Sequence, residues 1–300
     1  MRIVAVLNRD GGTLKTTDLD QLCERAAAIF AERGHELECR AVEGGAVDAT
    51  LKEVVATPGV DAVIAGGGDG TISSAAAIAY AAGLPLGVLP AGTMNLFARS
   101  LRVPLDLDEA LVALADAEID TADIAVANGR AFVHQFSVGI HARLVRIREE
   151  SMSYGSRTGK MLASLRAIAA TALDPPRFEA ELQTSRGSER RQVSGISVSN
   201  NPLGEGQIFA DRLDRGVLGV YVALPMNTSA LLKLAMDLFT GSWRQSPLVE
   251  EREVAEVTLS FPKRRRGNQA VLDGELIDLD RSVRITLHPG ALKVLRPRAA

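Results

Sequence analysis

The residues whose types and spacing best suit chemistry form a run of glycines after an apolar segment. From position 62 to position 72 the chain reads AVIAGGGDGTI. Glycines let backbone N–H groups approach a polyphosphate without a Cβ in the way, and the start of a following helix adds partial positive charge. Thr71 adds a hydroxyl, and Asp69 beside phosphates indicates Mg²⁺ between the negative groups. The pattern predicts a nucleotide phosphate site.

The alternative interpretation of this run is a tight strand-to-helix turn with Asp69 as the helix N-cap. The run differs from a Walker A loop, which places a lysine before its Ser or Thr. It also differs from the Gly-x-Gly-x-x-Gly of dinucleotide-binding folds. The preceding strand, the acid and the threonine together favour the phosphate site.

Two later segments carry further candidate residues. Positions 89 to 99 read LPAGTMNLFAR, and positions 271 to 275 read VLDGE. Taken alone, Asp273-Gly274-Glu275 is typical of an exposed hairpin turn. Together with the glycine run, however, the two segments resemble, in the same order, the motifs of the diacylglycerol kinase catalytic family, whose relatives include sphingosine and ceramide kinases. The resemblance spans nearly the whole chain, and it is specific for the family but not for the lipid.

The resemblance implies an ATP-dependent kinase acting on a hydroxyl of diacylglycerol or of a ceramide-type or sphingoid lipid. Asp273 would be the general base. Glu275, two residues on and therefore on the same side of an extended chain, would hold Mg²⁺ or orient Asp273. Asp69 is the other candidate Mg²⁺ ligand. The residues expected to contact ATP or to brace its loop are Gly67, Gly68, Asp69, Gly70, Thr71, Ile72, Ser73, Thr93 and Asn95.

The chain departs from the family pattern at several positions. The first strand ends Asn8-Arg9 where the family has Asn-Pro, which argues against nucleotide contacts at that end. Other usual family residues are replaced at Arg40, His141 and Arg215. Asp214 is one position away from the acid that binds a structural Mg²⁺ in some bacterial members, so we do not predict that second metal.

These departures leave two alternatives to a lipid kinase. One is an NAD kinase-like phosphotransferase with a soluble acceptor, although the segment from 90 to 99 argues against it. The other is a catalytically silent lipid-binding regulator of the same fold.

The glycine run lies in a first part of the chain that alternates strand and helix patterns. We expect strands at 3–7, 36–42, 60–65 and 84–89, and helices at 18–33, 48–56, 72–82 and 107–117. Asp18 is the expected N-cap of the first helix, and Gly34 its end. This alternation predicts a doubly wound α/β domain with a parallel sheet covered by helices.

Period-2 patterns dominate from about residue 120 and predict antiparallel strands. They occur at 178–182, 196–198, 257–261 and 283–287, interrupted by helical patterns at 159–173 and 229–239. We predict a nucleotide-binding α/β domain at 1–121 and an antiparallel β-sandwich lipid-substrate domain at 122–300. The last strand is a candidate for return to the first domain. The resemblance implies an active site in the cleft between the two domains.

Composition limits the partners. The formal net charge of -3 argues against a nucleic-acid binder, so no nucleic acid is expected.

Two cysteines, Cys23 and Cys39, are expected to be buried thiols in a reducing cytoplasm. Without a signal peptide pattern or an apolar stretch long enough to span a bilayer, we expect a soluble cytoplasmic protein at the inner face of the membrane. A homodimer is left open.

The expected partners are a membrane lipid substrate and an anionic membrane surface. Positions 263 to 266 read KRRR, which is slightly more typical of a solvated turn than of a site for anionic headgroups. Apolar residues in the helices near 159–173 and 229–239 favour core packing, and the alternative is an entrance for acyl chains.

Overall fold

The computed structural model describes residues 1–150, 157–263 and 267–298, without the side chains of 157–163. The chain forms two compact units. Unit 1 consists of Met1–Ile124, Asp211–Arg215 and His288–Ala300, and unit 2 of Ala125–Ala210 and Gly216–Leu287.

Unit 1 is built on a parallel sheet in which the strands Arg2–Asn8, Ala62–Gly67 and Leu86–Pro90 are almost fully buried, as strands covered on both faces require. The strand order is Glu36–Val42, Arg2–Asn8, Ala62–Gly67 and Leu86–Pro90, followed by the second half of the last strand, Ser282–Arg296. The elements of this part of the chain are β1 (Arg2–Asn8), α1 (Leu19–Ala31), β2 (Glu36–Val42), α2 (Val47–Ala56), β3 (Ala62–Gly67), α3 (Asp69–Ala82), β4 (Leu86–Pro90), α4 (Leu96–Ser100), α5 (Leu107–Ala115) and β5 (Glu118–Ala127).

The direction of the chain across this sheet reverses between β1 and β3. The connection through α1 runs one way, from β1 to β2, and those through α2 and α3 run the other way. Because such crossovers are right-handed, helices whose connections run in opposite directions across the sheet lie on opposite faces of it. Accordingly, α1 packs with α5, while α2 packs with α3. The predicted doubly wound parallel sheet is confirmed.

The predicted ends of α1 are also confirmed. The Asp18 side chain caps the helix by accepting the Gln21 N–H at 3.2 Å. Gly34 follows the helix with a φ of 72°, a left-handed conformation that glycine adopts without strain.

The cysteine prediction is wrong. Cys23 on α1 and Cys39 on β2 are joined in a disulfide, with their Cα atoms 5.7 Å apart and a sequence separation of 16. Sequence spacing gave no sign of this pairing, because α1 folding back onto β2 is what brings the two thiols together. The cysteines therefore give no support for a reducing compartment.

Unit 2 contains two antiparallel sheets and three helices within the described ranges. Its elements are β6 (Arg130–Phe132), β7 (Gln135–Gly139), α6 (Ile140–Glu150), α7 (Arg157–Leu173), β8 (Phe178–Thr184), β9 (Gly187–Val193), β10 (Gly195–Ser199), β11 (Leu218–Ala223), α8 (Thr228–Thr240), β12 (Val249–Val254), β13 (Glu256–Ser260), β14 (Gln269–Leu272), β15 (Glu275–Asp278) and the first half of β16 (Ser282–Arg296).

The two sheets of unit 2 share one hydrophobic core. One sheet has the order β12-β11-β10-β7-β14-β15, and the other contains β9, β8, β13 and the first half of β16. Leu182 and Leu259 of one sheet and Phe136 and Val198 of the other belong to the same buried cluster. The alternating apolar residues of each strand face this cluster, which confirms the predicted β-sandwich.

Candidate functional site

The carboxyl ends of β1 and β3 meet at the point where the chain direction reverses. There the Asn8 side-chain amide donates to the Thr71 hydroxyl at 3.0 Å, and its oxygen accepts the Asp10 N–H at 3.0 Å. Ligands of open α/β sheets bind at such a point. The sequence argued against nucleotide contacts at this end of β1, and that stays a prediction, but the structure shows Asn8 bonded to Thr71 of the glycine run. A polar residue at the end of a buried strand was the available signal.

The glycines of the run are required for different reasons. A Cβ on Gly66 would lie 2.5 Å from the Leu7 side chain, and one on Gly67 would lie 2.7 Å from the Thr71 side chain. At Gly68 a Cβ would meet only the Gly92 Cα, at 3.7 Å. Internal packing therefore explains the first two glycines. Gly68 has open space on its Cβ side, which is what a ligand approaching the backbone needs.

The N-terminus of α3 has no side-chain cap. Gly68 occupies the N-cap position and Asp69 is the first helical residue, so the alternative in which Asp69 caps α3 is wrong. The 14-residue helix presents its first N–H groups at the end of β3, where an anion would be stabilised. Ile72 is buried and its N–H donates to the Gly68 carbonyl, which removes Ile72 from the candidate donors. Ser73 is half-buried.

Asp69 connects the glycine run to the loop after β4. Its carboxylate accepts the N–H groups of Asn95 at 3.0 Å and Leu96 at 2.6 Å, and so caps α4. Asn95 in turn binds Gly92 through both its side-chain atoms, at 2.8 and 3.0 Å, and adopts a left-handed φ of 52°. The two motifs are thus one hydrogen-bonded assembly, beside which Thr93 is exposed.

A third loop, after β1, completes this end of the sheet. The Thr13 N–H donates to the Ala91 carbonyl at 2.8 Å, and a Cβ on Gly12 would overlap that same carbonyl oxygen. A Cβ on Gly92 would lie 2.8 Å from the Gly68 Cα. Three loops therefore touch through their backbones, and only glycine permits this approach. Gly12 was missed in the sequence, although the Gly11-Gly12 pair after a buried strand was a usable signal.

The described residues contain no group of three or more His, Cys, Asp or Glu side chains arranged to hold a metal. Both oxygens of Asp69 already accept backbone N–H groups. Mg²⁺ is commonly bound by one or two carboxylates together with substrate phosphates. The side chains of unit 1 thus form no preformed Mg²⁺ cage, and an ion at this edge would depend on the phosphates that it accompanies.

Asp273 of unit 2 is buried, with 6% of its surface exposed. One carboxylate oxygen accepts the N–H groups of His134 and Gln135, at 2.9 and 2.8 Å, and the other accepts that of Val133 at 2.9 Å. The Asp273 N–H donates to the Gln135 carbonyl at 2.9 Å. The residue therefore fixes the segment that enters β7.

The turn around Asp273 differs from the sequence expectation. Asp273 and Gly274 are the two loop residues of the β14–β15 hairpin and have φ values of 46° and 91°, as a type I′ turn requires. Glu275 is the first residue of β15, is exposed, and is paired with Leu272. The expectation that Asp273 and Glu275 lie along one extended chain is wrong, because the turn reverses the chain between the two strands. The hairpin turn is present, but its aspartate is buried.

His141 lies at the start of α6 within a polar cluster. Its Nδ1 is 2.6 Å from the Ser137 hydroxyl and 3.2 Å from the Gln135 side-chain nitrogen. Burial, together with the positive charges of His134 and Arg148, lowers the pKa of His141 to about 4. The ring is therefore neutral at physiological pH.

Residues 2–127 match the family model of the diacylglycerol kinase catalytic domain. This part of the chain is similar to that catalytic domain. It contains the three loops described above and ends at Ala127, the last residue of β5 and the third residue of unit 2.

Relatives and solved structures match beyond these residues. A protein of Pseudomonas aeruginosa named "Probable lipid kinase YegS-like" is 29% identical over 283 residues, which are 91% of this chain and 90% of that protein. An uncharacterized protein of Synechocystis is 28% identical over 249 residues, which are 78% of this chain but only 54% of that protein. The crystal structure of a diacylglycerol kinase from Bacillus anthracis has a TM-score of 0.71 at 16% identity, covering 98% of this chain and 96% of that one, which shows a shared fold.

One departure from the family pattern, Arg40, and the acid next to another departure, Asp214, form ion pairs in unit 1. Arg40 lies between Glu38 and Glu53, at 2.6 and 3.0 Å, and hydrogen bonds to these carboxylates, that of Glu38 foremost, raise its pKa. The Arg212 guanidinium contacts both carboxylate oxygens of Asp214 at 2.9 Å and lowers the pKa of that acid. Both sites are explained by charge pairing on the surface of the unit.

Other predicted features relate to membranes. Lys263 forms an ion pair with Glu179 at 2.9 Å, while residues 264–266 lie outside the described residues. In the part of the chain that the structure describes, every helix is too short or too polar to cross a bilayer.

Proposed function

We propose that this protein is an ATP-dependent kinase that transfers a phosphoryl group to a hydroxyl of a membrane lipid. The supporting observation is the contact of three glycine-containing loops at the carboxyl ends of β1, β3 and β4, beside a helix N-terminus without a side-chain cap. The lipid-kinase name of the Pseudomonas aeruginosa relative favours a lipid acceptor over NAD.

In unit 1 the proposed ATP site depends on backbone groups. The first N–H groups of α3 would bind phosphate oxygens, and the open side of Gly68 would leave room for these oxygens. The bonds from Asn8 to Thr71 and from Asp69 to Asn95 fix the loops before ATP arrives, which lowers the cost of ordering them. Mg²⁺ bound with the nucleotide would supply neutralisation of the phosphate charge.

In unit 2 the proposed general base is Asp273. The lipid hydroxyl oxygen attacks the γ-phosphorus, the bond from that phosphorus to the bridging oxygen breaks, and ADP leaves while Asp273 takes the hydroxyl proton. Phosphoryl transfer depends on positioning more than on covalent chemistry. Three backbone N–H groups hold the Asp273 carboxylate in a fixed position. Glu275 is exposed and stays the candidate Mg²⁺ ligand of this unit.

The proposal is tested by incubating the full chain with labelled ATP and Mg²⁺ and a panel of acceptors. Diacylglycerol, ceramide, a sphingoid base and a glycolipid are presented in mixed micelles, and NAD is presented in solution. We expect label in one lipid class and none in NAD. Label in NAD would identify the soluble-acceptor alternative. Lipid binding without transfer to any acceptor would identify a silent regulator and refute the kinase proposal.

A further inference from the structure

The segment from 133 to 141 in unit 2 carries a polar cluster that the proposed transfer does not use. The backbone N–H groups that hold Asp273 lie at one end of this segment, and the last of them belongs to Gln135. The side-chain nitrogen of the same Gln135 lies 3.2 Å from Nδ1 of His141, and the Ser137 hydroxyl lies 2.6 Å from that ring nitrogen. Gln135 therefore contacts the proposed base through its backbone and the imidazole through its side chain.

The cluster lies on the side of β7 that faces away from the core of the sandwich. Phe136 and Val138 belong to the core cluster, so Gln135 and Ser137, which alternate with them, lie on the opposite side of the strand. Helix α6 packs against β7, and its buried side chains are those of an alanine and a valine. Ser137 is fully buried, and a buried hydroxyl beside apolar groups is stable only when it is paired. The contact with Ser137 therefore fixes the orientation of the His141 ring.

The second nitrogen of the His141 ring is not used in this pairing. Nε2 has no hydrogen-bond partner among the residues that the structure describes, and the ring is half-buried, not enclosed. An amide nitrogen only donates, so the position of Gln135 next to Nδ1 favours the tautomer that carries its proton on Nε2. In this tautomer the neutral ring presents a fixed N–H donor to a molecule that reaches the cluster.

The charges around the ring favour a neutral ligand over a cationic one. His134 and Arg148 are the charged groups that act on His141, and both disfavour a further positive charge there. Asp273 is anionic, but three backbone N–H groups already stabilise its charge. A neutral oxygen that accepts a hydrogen bond therefore fits this donor better than an ammonium group does.

We propose that His141 binds a carbonyl oxygen of the acceptor lipid through its Nε2–H and so selects acceptors with an ester or amide beside the reacting hydroxyl. Diacylglycerol and ceramide carry such a carbonyl, whereas a sphingoid base carries an ammonium group instead. The inference rests on the proposed function, since Asp273 as the base is what brings the lipid hydroxyl to this end of β7. His141 is thus a specificity-determining residue and takes no proton in the transfer.

The test compares two short-chain acceptors, dihexanoylglycerol with two ester groups and its dialkyl ether analogue with none. His141→Phe keeps a planar ring and removes the donor, whereas His141→Gln keeps an N–H near the position of Nε2. We expect the ratio of kcat/KM for the ester to that for the ether to fall about 10-fold in His141→Phe, because a buried carbonyl then lacks its donor. The ratio should stay near the natural value in His141→Gln and in the control His35→Phe, which changes a half-buried histidine of unit 1. A merely structural defect would lower both rates alike.

Nitrogen NMR of the histidine rings without ATP gives a second readout that does not need turnover. We expect the proton of His141 on Nε2, and an Nε2 signal that shifts when the ester is added but not when the ether is added. A proton on Nδ1 or the same response to both compounds, including none, would overturn the proposal. An unchanged ratio in His141→Phe, or equal transfer to a sphingoid base, would overturn it as well. If no acceptor is phosphorylated while the ring still responds to the ester alone, the kinase proposal fails and the lipid-binding role of His141 stands.

Discussion

Replacing Asp273 by asparagine tests both roles suggested for this residue. The change keeps the size of the side chain, and asparagine tolerates the left-handed φ of 46° as well as aspartate does, so the backbone is not strained. Three backbone N–H groups point at the carboxylate. In the variant an NH₂ group faces at least one of these donors, and that N–H loses its acceptor.

The expected loss of stability follows from these bonds. A buried N–H left without an acceptor costs about 1–3 kcal/mol, and the remaining bonds lose about 1 kcal/mol each when the acceptor loses its charge. The total is about 3–5 kcal/mol, which corresponds to a fall in Tm of about 6–20 °C for a domain of this size.

The assay combines thermal melting with turnover measured well below the lowered Tm. Asp278→Asn is the matched control, since Asp278 is exposed on the next strand of the same hairpin. We expect a stable control, a lower Tm for Asp273→Asn, and a loss of about 10²–10⁴-fold in its turnover if Asp273 is also the base. An unchanged Tm would refute the reasoning from the three bonds. Near-normal turnover by the folded variant would refute the base assignment and leave Asp273 as a positioning residue.

Three further predictions concern the phosphate loops and the polar cluster of unit 2. Gly68→Val should abolish ATP binding, because the new side chain occupies the open space beside the loop. The Tm should change little, because a Cβ at this position meets only one protein atom within 4 Å. The control Gly45→Val, whose Cβ meets no atom within 4 Å, should bind ATP normally in the same titration. A double-mutant cycle of Asn8→Ala and Thr71→Val should give a coupling of about 0.5–1.5 kcal/mol in chemical denaturation, and additive effects would contradict their hydrogen bond. The pKa of His141 is lowered to about 4 in the folded state, so the free energy of unfolding should not depend on this group above pH 6.5. It should fall by about 1–3 kcal/mol as the pH drops toward 4, because the unfolded chain then binds a proton that the folded chain does not. The variant His141→Gln should lack this pH dependence.

The elements of unit 1 could be predicted where local pattern and tertiary structure agree. The strand Glu36–Val42 and the cap at Asp18 occur as expected, since both depend on neighbouring residues. The third strand runs two residues further than expected, through Gly67, because Gly66 and Gly67 pair with Leu89 and Pro90 of β4. A strand that ends in glycines has no side-chain pattern, so its end is set by the partner strand.

Long-range pairings account for what the sequence could not give. The acceptor role of Asp69 involves N–H groups 26 and 27 residues away, and that of Asp273 involves groups 138 to 140 residues away. The disulfide joins residues on different elements. Each of these contacts depends on how the elements pack, and no local periodicity or spacing reports on it. The resemblance to a family indicated that the residues matter without indicating which partners they bind.

The polar residues of the motifs thus have an architectural use that is independent of any reaction. Asp69 and Asp273 bind backbone groups of other loops, and Asn95 binds Gly92 of its own loop, so their replacement would disturb the fold even in a protein without kinase activity. Loss of activity in such variants is therefore weak support for a chemical role. The sites that discriminate are those where the protein leaves space or donors unused, namely the open side of Gly68 and the uncapped start of α3. A variant that keeps its Tm but loses ATP binding there has lost a ligand contact, because no protein contact was available to lose.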